Sequence, residues 1–333
     1  MPVVFPRTGD YEPTDGEYPI RSIRAPLYPQ YQLGLPTIPD ALADTSPDVV
    51  HLHTPFTVGV AGMRFGRKQD VPVVASYHTL LDHRADQHAP PGLVGALRAT
   101  CQAYERSFFE RVDHVVAPTS FARDHLTERI GADIDVTVVS NGIDTEFFRP
   151  VDPTAFQRLY DLPSDRPIVG YTGRHGHEKH IEEAIDAVDG TDLTLLIGGD
   201  GPARKDLESH ADDTDADVRF LGFLEREDLP AFYSALDAFV FPSPVETQGL
   251  VALEATACGT PVVAVDEGAL TDSVIEGETG YRYAKDDLED FRYALWRVLD
   301  EYDRLSDLCQ RRRAMLSVEH SLQQLAGIYD RLA

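Results

Sequence analysis

Two glutamates eight residues apart, Glu246 and Glu254, mark the stretch of the chain with the clearest potential for chemistry, SPVETQGLVALEATACGTPVVA (243–264). The apolar run DAFVFPS before them predicts a buried strand that ends at Phe241, and a helix is predicted from about Gln248. One glutamate therefore lies on a loop and the other inside the following helix. For such a pair taken alone, two solvated glutamates that flank a helix start are the simpler interpretation.

The start of this helix offers a site for an anion. The backbone N–H groups of Gly249, Leu250 and Val251 have no partner inside the helix and carry partial positive charge. A glycine there lets a ligand approach the backbone. Helical side chains lean toward the N-terminus, so Glu254 can reach the same ligand. Because a carboxylate accepts hydrogen bonds from hydroxyl groups, the arrangement predicts phosphate at the helix end and hydroxyls on either side, as in a nucleotide-sugar.

Cationic side chains that could hold the phosphates occur in GYTGRHGHEK (170–179). Gly173, Arg174 and Lys179 follow a predicted strand there, and arginine and lysine both bind phosphate oxygens. The chain has only four lysines, so one at a strand-to-helix turn is informative, although a solvated surface pair is an equal alternative. The nearby run LLIGGDGPARKDLE lacks the full spacing of a phosphate-binding loop and predicts only a tight turn.

Histidines follow two predicted strands of the first half, in HLHTPF (51–56) and SYHTLL (76–81). His51, His53 and His78 could be read as zinc ligands, but no fourth ligand accompanies them. Packing at the strand ends is the alternative, and it is favoured for His51.

Short apolar runs alternate with helical patterns along the whole chain, which predicts parallel sheets covered by helices on both faces. The predicted strands are 47–54, 71–79, 113–120 and 136–142 in the first half, and 166–173, 192–201, 217–223, 237–243 and 260–268 in the second. The run NGIDTEFFRPVDP (141–153) is interpreted as a linker, which gives two α/β domains. In such folds ligands bind at the carboxyl ends of the strands, where the polar residues lie.

The composition restricts the class of protein. With 56 acidic and 30 basic residues the net charge is −26, and the acidic residues are spread along the chain. This favours a halophilic protein of a salt-rich, haloarchaeal cytoplasm over an ordinary acidic enzyme, and argues against nucleic-acid binding. Three separated cysteines indicate neither a disulfide framework nor a zinc site, and no apolar run is long enough to span a membrane.

Several of these motifs occur together and in one order, namely GR…EK, GDGP, LGFLEREDLPAFYSALDAFVFPS and the glutamate pair with ATACGTPVVA. In this set the chain resembles glycosyltransferase family 4 over most of 47–332. The resemblance implies the GT-B fold, with two Rossmann-like doubly wound domains facing a cleft. It further implies a retaining, metal-independent hexosyltransferase with a UDP- or GDP-linked sugar donor and no other cofactor. We place the domains at 1–145 and 146–315, with a closing helix in 316–333.

The resemblance also implies a donor site formed by Gly173, Arg174, Lys179, Phe223, Glu246, Gly249, Leu250, Val251 and Glu254. Arg174 and Lys179 would hold the diphosphate and Glu254 the ribose, while the main chain near Phe223 would face the base. Glu246, with the backbone of the helix start, would hold the transferred sugar. The histidine of the YHT motif, His78, would lie beside that sugar.

Two regions leave alternatives open. The arginine-rich segment 84–112 is either a membrane-contacting helix, as in relatives with lipid acceptors, or a solvated helix. The resemblance implies a lipid or saccharide acceptor. Because the sequence shows neither a long apolar run nor a signal segment, we expect a cytoplasmic location, either free or peripheral at the inner membrane face. The family's opening strand, glycine-rich loop and helix are not visible at the start of the sequence. We favour a start placed too late over a compromised enzyme, and a sugar-nucleotide epimerase or a non-catalytic nucleotide-sugar-binding scaffold remains as an alternative.

Overall fold

The computed structural model describes residues 1–9, 11–25, 28–82 and 92–333, and of residues 25 and 28–31 only the backbone. It divides the chain into two compact units. The first comprises Met1–Val139 together with Gln324–Ala333, and the second comprises Ser140–Gln323. The segment 84–112, for which a membrane-contacting helix and a solvated helix are the alternatives, lies partly outside the described residues.

The first unit is built on a four-stranded parallel sheet whose strands follow one another in chain order. Its core strand, Val73–Ser76, is buried throughout, because apolar side chains point to both faces. One face packs on helices through buried side chains such as Tyr77 and Phe109. The four strands are β5 (Val50–Leu52), β6 (Val73–Ser76), β7 (His114–Ala117) and β8 (Val136–Val138).

Four short strands precede this sheet, and none of them is among the four strands predicted for the first half. Proline occurs in three of them, at Pro6, Pro19 and Pro29, and proline cannot donate a ladder hydrogen bond. Two-stranded sheets tolerate this because every strand has an open side. The strands are β1 (Val3–Pro6), parallel to β2 (Glu17–Ile20), and β3 (Ser22–Ala25), antiparallel to β4 (Tyr28–Gly34).

Helices cover the sheet of the first unit, and the last helix of the chain also contributes to it. Leu325, Ile328 and Tyr329 of that helix pack with Val74 and Val116. The helices are α1 (Asp40–Ala43), α2 (Thr57–Gln69), α3 (Val94–Phe109) and α4 (Ser120–Asp124), which continues into a π-type turn at His125–Arg129.

The second unit is a six-stranded parallel sheet in the order β11-β10-β9-β12-β13-β14. The order reverses after β9, as in a doubly wound fold, so the loops that follow β9 and β12 leave neighbouring strands at the same edge of the sheet. The strands are β9 (Ile168–Thr172), β10 (Thr194–Gly198), β11 (Asp217–Gly222), β12 (Ala238–Phe241), β13 (Val262–Val265) and β14 (Gly280–Tyr283).

The helices of the second unit lie between these strands in the chain or flank them. They are α5 (Thr154–Leu159), α6 (Ile181–Val188), α7 (Arg204–Asp212), α8 (Leu229–Ser234), α9 (Leu250–Ala257), α10 (Leu270–Ser273), α11 (Leu288–Asp300) and α12 (Tyr302–Leu316).

The segment 141–153, interpreted above as a linker, belongs to the second unit. Ile143 forms a parallel bridge with Ser317, and the Phe148 side chain is buried in the core of this unit. The final helix, α13 (Val318–Leu332), begins in the second unit and ends in the first. No helix in the part of the chain described by the structure is long and apolar enough to cross a bilayer.

Candidate active site

The helix that carries Glu254 begins at Leu250, two residues later than the sequence indicates. Gly249 precedes it with a φ of 74°, a left-handed conformation that favours glycine. A Cβ atom at this position would lie 2.8 Å from both Leu270 Cδ2 and Phe241 Cε1. Gly249 is therefore required both by its conformation and by the space around it.

A network of polar side chains that sequence reasoning missed fixes the residue before this glycine. The buried Gln248 side chain accepts hydrogen bonds from the Asn141 side chain (2.6 Å) and backbone N–H (3.2 Å), and donates one to Ser140 Oγ (2.6 Å). The Ser273 hydroxyl donates to the Gln248 carbonyl. These bonds hold the loop in register with the helix start. The residues that these bonds join lie far apart in the chain, so no local sequence pattern indicates the bonds.

Glu254 is half-buried and directed by a tyrosine. The Tyr233 hydroxyl, which is fully buried, donates a hydrogen bond of 2.7 Å to Glu254 Oε2. Burial raises the pKa of Glu254, and the hydrogen bond from Tyr233 acts in the opposite direction. Among the described residues no hydrogen bond is formed by Glu254 Oε1, so this oxygen can accept one from a ligand hydroxyl.

Glu246, on the loop after β12, meets Lys179, on the loop after β9. Lys179 Nζ lies 2.5 Å from Glu246 Oε1, and Ser243 Oγ donates to the same oxygen over 2.9 Å. Both charged side chains are less than one-fifth exposed. The strand order explains the contact, because β9 and β12 are neighbours and their carboxyl ends share one edge of the sheet.

Arg174 stands on the same loop as Lys179 but forms its ion pair locally, with Glu178. Its side chain is 56% exposed, so the guanidinium is accessible. The glycine-rich turn after β10 supports this loop: a Cβ on Gly199 would lie 2.0 Å from the Gly173 carbonyl oxygen. The close approach of the two backbones leaves no space for a side chain at Gly199.

Phe223 follows β11 directly, and its side chain is 76% exposed. Leu250, at the first position of α9, is 41% exposed. The second unit therefore holds all nine predicted donor-site residues, and it joins Lys179 directly to Glu246. His78, the remaining predicted residue, belongs to the first unit.

The three histidines of the first unit lie next to one another: His51 belongs to β5, His53 follows that strand, and His78 lies two residues after β6. The ring centroids of His51 and His53 are 4.3 Å apart, and those of His53 and His78 are 5.6 Å apart with nearly parallel planes. Nδ1 of His53 lies 3.3 Å from Nε2 of His78. Burial, which disfavours charged imidazole, lowers the pKa of His51 to about 3, lowers the pKa of His78 to about 4, and also lowers the pKa of His53.

The ring nitrogens of His51 are used inside the fold. Nδ1 faces the Tyr329 hydroxyl at 2.5 Å, and Nε2 faces Ser76 Oγ at 2.8 Å. The His53 and His78 nitrogens that face each other are likewise at hydrogen-bond distance. Packing at the strand ends accounts for the position of His51.

In 84–112, residues 84–91 fall outside the described part of the chain, and α3 occupies most of the rest. Phe108 and Phe109 of α3 are buried, whereas Leu93, Leu97 and Tyr104 are at least 40% exposed.

Two family models match the chain: "Glycosyltransferase Family 4" over residues 3–147 and "Glycosyl transferases group 1" over residues 154–315. Among solved structures, the chain is similar to sucrose-phosphate synthase from Thermosynechococcus elongatus, with a TM-score of 0.75, 24% identity, and coverage of 98% of this chain and 86% of that one. It is also similar to Anabaena HepE in complex with UDP and glucose, with a TM-score of 0.70, 20% identity, and coverage of 86% and 78%. The chain thus has the GT-B fold of glycosyltransferases, as predicted.

The relatives of the chain define its enzyme class more closely than the fold does. The chain is 33% identical over 274 residues to a GDP-mannose-dependent alpha-(1-6)-phosphatidylinositol dimannoside mannosyltransferase of Mycobacterium tuberculosis, covering 80% of this chain and 69% of the relative. It is 29% identical over 322 residues to a GDP-mannose-dependent alpha-mannosyltransferase of Corynebacterium glutamicum, covering 92% and 74%. It spans about half (54%) of the sulfoquinovosyl transferase SQD2 of Arabidopsis thaliana, at 30% identity. The chain belongs to glycosyltransferase family 4 and is a glycosyltransferase, which confirms the predicted family and enzyme class.

Proposed function

We propose that the protein transfers a hexose with retention of configuration from a nucleotide-diphosphate sugar, with GDP-mannose as the first donor to test, to a hydroxyl of a glycolipid or saccharide. The observation that carries the proposal is the convergence of Lys179, Glu246 and the Gly249–Leu250 helix start at one edge of the second sheet. The donor preference is supported by the GDP-mannose-dependent relatives.

The donor would bind by exchanging internal ion pairs for contacts with the ligand. Lys179 would turn from Glu246 to the diphosphate, and Arg174 would turn from Glu178 to the same group. Glu246, released from the lysine, would accept hydrogen bonds from hydroxyls of the transferred sugar. A cation and a carboxylate that neutralise each other in the free protein would thus separate onto the anionic and hydroxyl-bearing parts of one ligand.

The remaining donor contacts follow from the geometry of α9. The N–H groups at Gly249, Leu250 and Val251 would face phosphate oxygens, and Oε1 of Glu254 would accept a hydrogen bond from a ribose hydroxyl. The backbone beside Phe223 and Gly173 would border the base and the phosphates. In the working enzyme His78 would contact the transferred sugar.

The proposed reaction breaks the bond between C1 of the sugar and the phosphate oxygen, and forms a bond from C1 to the acceptor oxygen on the same face. The acceptor proton passes to the leaving phosphate oxygen. Negative charge develops on that phosphate, where Arg174, Lys179 and the helix start would stabilise it. Removing one such contact typically costs about 3–4 kcal/mol in the transition state. These groups supply the neutralisation for which some transferases use a metal ion, so we propose metal-independent transfer with no further cofactor.

The acceptor is proposed from two features. One relative acts, by its name, on a phosphatidylinositol dimannoside. The acidic excess of the chain lies mainly in the second unit, and α3 of the first unit exposes Leu97 and Tyr104. Reduced repulsion from anionic lipid and exposed apolar side chains would suit a peripheral contact of the first unit with the cytoplasmic face of a membrane.

The test compares two lysine variants in buffer with molar KCl. Thermal shifts with GDP-mannose, UDP-glucose and ADP-glucose are measured first, followed by transfer of radiolabelled sugar to lipid extracts and oligosaccharides. Lys179→Ala should abolish both the donor-induced shift and transfer. Lys205→Ala is the matched control, since Lys205 is exposed on α7 of the same unit, and it should behave as wild type. Normal transfer by Lys179→Ala would overturn the assignment, and absence of any donor shift in the wild type would favour a non-catalytic scaffold.

A further inference from the structure

The three histidines of the first unit do more than pack against one another, because two of them pair through their ring nitrogens. His53 and His78 each direct one ring nitrogen toward the other over 3.3 Å, and the two rings are nearly parallel. Among the described residues, no hydrogen bond is formed by His53 Nε2 or His78 Nδ1, the outer nitrogens of the pair. His78 is half-buried and His53 is exposed, so these outer nitrogens can be reached by a ligand.

The far side of the pair is held in place. His51 stacks on His53, and its two nitrogens face the Tyr329 and Ser76 hydroxyls. His51 therefore has little freedom to rotate, and its ring limits the movement of His53. The chain of contacts runs from Tyr329 through His51 and His53 to His78.

The number of protons on the two neutral rings limits the tautomers that His53 and His78 can adopt together. A neutral imidazole has one N–H donor and one acceptor nitrogen. The facing nitrogens must hold one proton between them, because two N–H groups would repel and two lone pairs would form no bond. If His53 Nδ1 carries that proton, His78 must carry its own on Nδ1; if His78 Nε2 carries it, His53 must carry its own on Nε2.

We infer that His53 is a positioning residue whose tautomer is coupled to that of His78, and that the two rings act as one neutral unit presenting one donor and one acceptor to sugar hydroxyls. In either arrangement one outer nitrogen donates and the other accepts, which matches a polyol, whose hydroxyls do both. Partial desolvation by the surrounding protein lowers the pKa of both rings, although part of the His53 ring is exposed, so the pair is neutral near pH 7. The hydroxyl assignment rests on the proposed function, whereas the coupling of the two rings does not.

The decisive measurement on the wild-type protein is a long-range ¹H–¹⁵N spectrum of the histidine side chains, which distinguishes protonated from unprotonated ring nitrogens. The His53 and His78 signals are assigned by their loss in single variants. Both residues are expected in the same tautomer, either both protonated on Nδ1 or both on Nε2. Opposite tautomers, or a cationic His78 at pH 7, would overturn the inference without any reference to enzyme activity.

Two isosteric variants then test positioning. In His53→Asn the amide occupies the place of Nδ1 and can still pair with His78, whereas in His53→Gln it occupies the place of Nε2 and cannot. His53→Asn should keep the His78 tautomer of the wild type, although it lacks the outer Nε2 atom and should lose the hydroxyl contact proposed there. His53→Gln should give mixed His78 tautomers and lower kcat about tenfold with donor KM unchanged. Equal spectra for the two variants would refute positioning, and if either variant fails to fold, the wild-type tautomers still decide.

The two hypotheses fail in different ways. Absence of transfer with every donor, combined with matched tautomers in the spectra, would remove the proposed function and leave the coupled pair. Transfer by the wild type, combined with opposite tautomers, would support the proposed function and remove the coupled pair.

Discussion

Replacing Gly249 with alanine should damage both stability and donor binding, by an amount that the structure lets us divide. The left-handed φ of 74° costs an L-residue about 1–2 kcal/mol. The added Cβ would lie 2.8 Å from Leu270 and Phe241, and overpacking of this kind costs about 1–3 kcal/mol. Gly249→Ala should therefore lower the free energy of unfolding by about 2–5 kcal/mol.

Gly190→Ala separates the two contributions. Gly190 has nearly the same φ, 71°, but a Cβ added there would meet nothing within 4 Å, and the residue lies on a surface turn after α6. This control should lose only about 1–2 kcal/mol. The difference between the variants measures the clash at the helix start.

The donor assay completes this prediction. To relieve the clash, the start of α9 must shift, which misplaces the N–H groups proposed to face the phosphates. GDP-mannose binding, measured by calorimetry in molar KCl, should weaken at least tenfold in Gly249→Ala, or about 1.4 kcal/mol, and stay unchanged in Gly190→Ala. Equal stability losses in the two variants, or unchanged donor affinity in Gly249→Ala, would refute the reasoning.

Three other outcomes are expected. Tyr233→Phe removes the hydrogen bond that opposes the effect of burial on Glu254, so the pKa of Glu254 should rise further. As the pH is lowered, donor affinity should therefore begin to fall at a higher pH in this variant than in wild type, and identical pH profiles of binding would argue against a carboxylate contact. The lowered pKa values of His51 (about 3) and His78 (about 4) mean that each ring binds more protons in the unfolded chain below the ordinary histidine pKa of 6.5. The contribution of each ring to stability should therefore be constant above that pH and fall below it by up to about 1.4 kcal/mol per pH unit. Denaturant titrations at several pH values give the free energy of unfolding as a function of pH, and at acidic pH this free energy should change less steeply with pH in His78→Asn than in wild type. An unchanged pH dependence would mean that the His78 ring is not held neutral. Finally, dilution from molar to millimolar KCl should unfold the protein, since its net charge of −26 is then unscreened; a circular dichroism spectrum that stays native at low salt would remove the halophilic interpretation.

The sequence predicts those strands whose apolar side chains point to both faces of a sheet. Val73–Ser76 and Val262–Val265 are uninterrupted runs of this kind, and both lie within predicted strands. The edge strand Gly280–Tyr283 contains a polar residue, Arg282, and its apolar run is too short to be recognised. The early strands that contain Pro19 and Pro29 escape prediction for the reason given above.

The site residues could be predicted from the order of the motifs along the chain. Which of these residues contact one another could not be predicted from their separation in the sequence. Lys179 and Glu246 are 67 residues apart, and only the pairing of β9 with β12 brings them together. The sequence places the start of α9 near Gln248 because its patterns do not show that Gly249 takes a left-handed φ. The contact between His53 and His78 depends in the same way on the register of two separate strands.

The split of α13 between the two units has a consequence for synthesis on the ribosome. Residues 1–139 emerge first, yet the hydrophobic cluster of Val74 and Val116 is closed by Ile328, which is translated much later. The first unit therefore remains incompletely covered until the second unit has been translated and residues 324–333 are released. The packing of the first unit is thus completed only after the second unit has been translated.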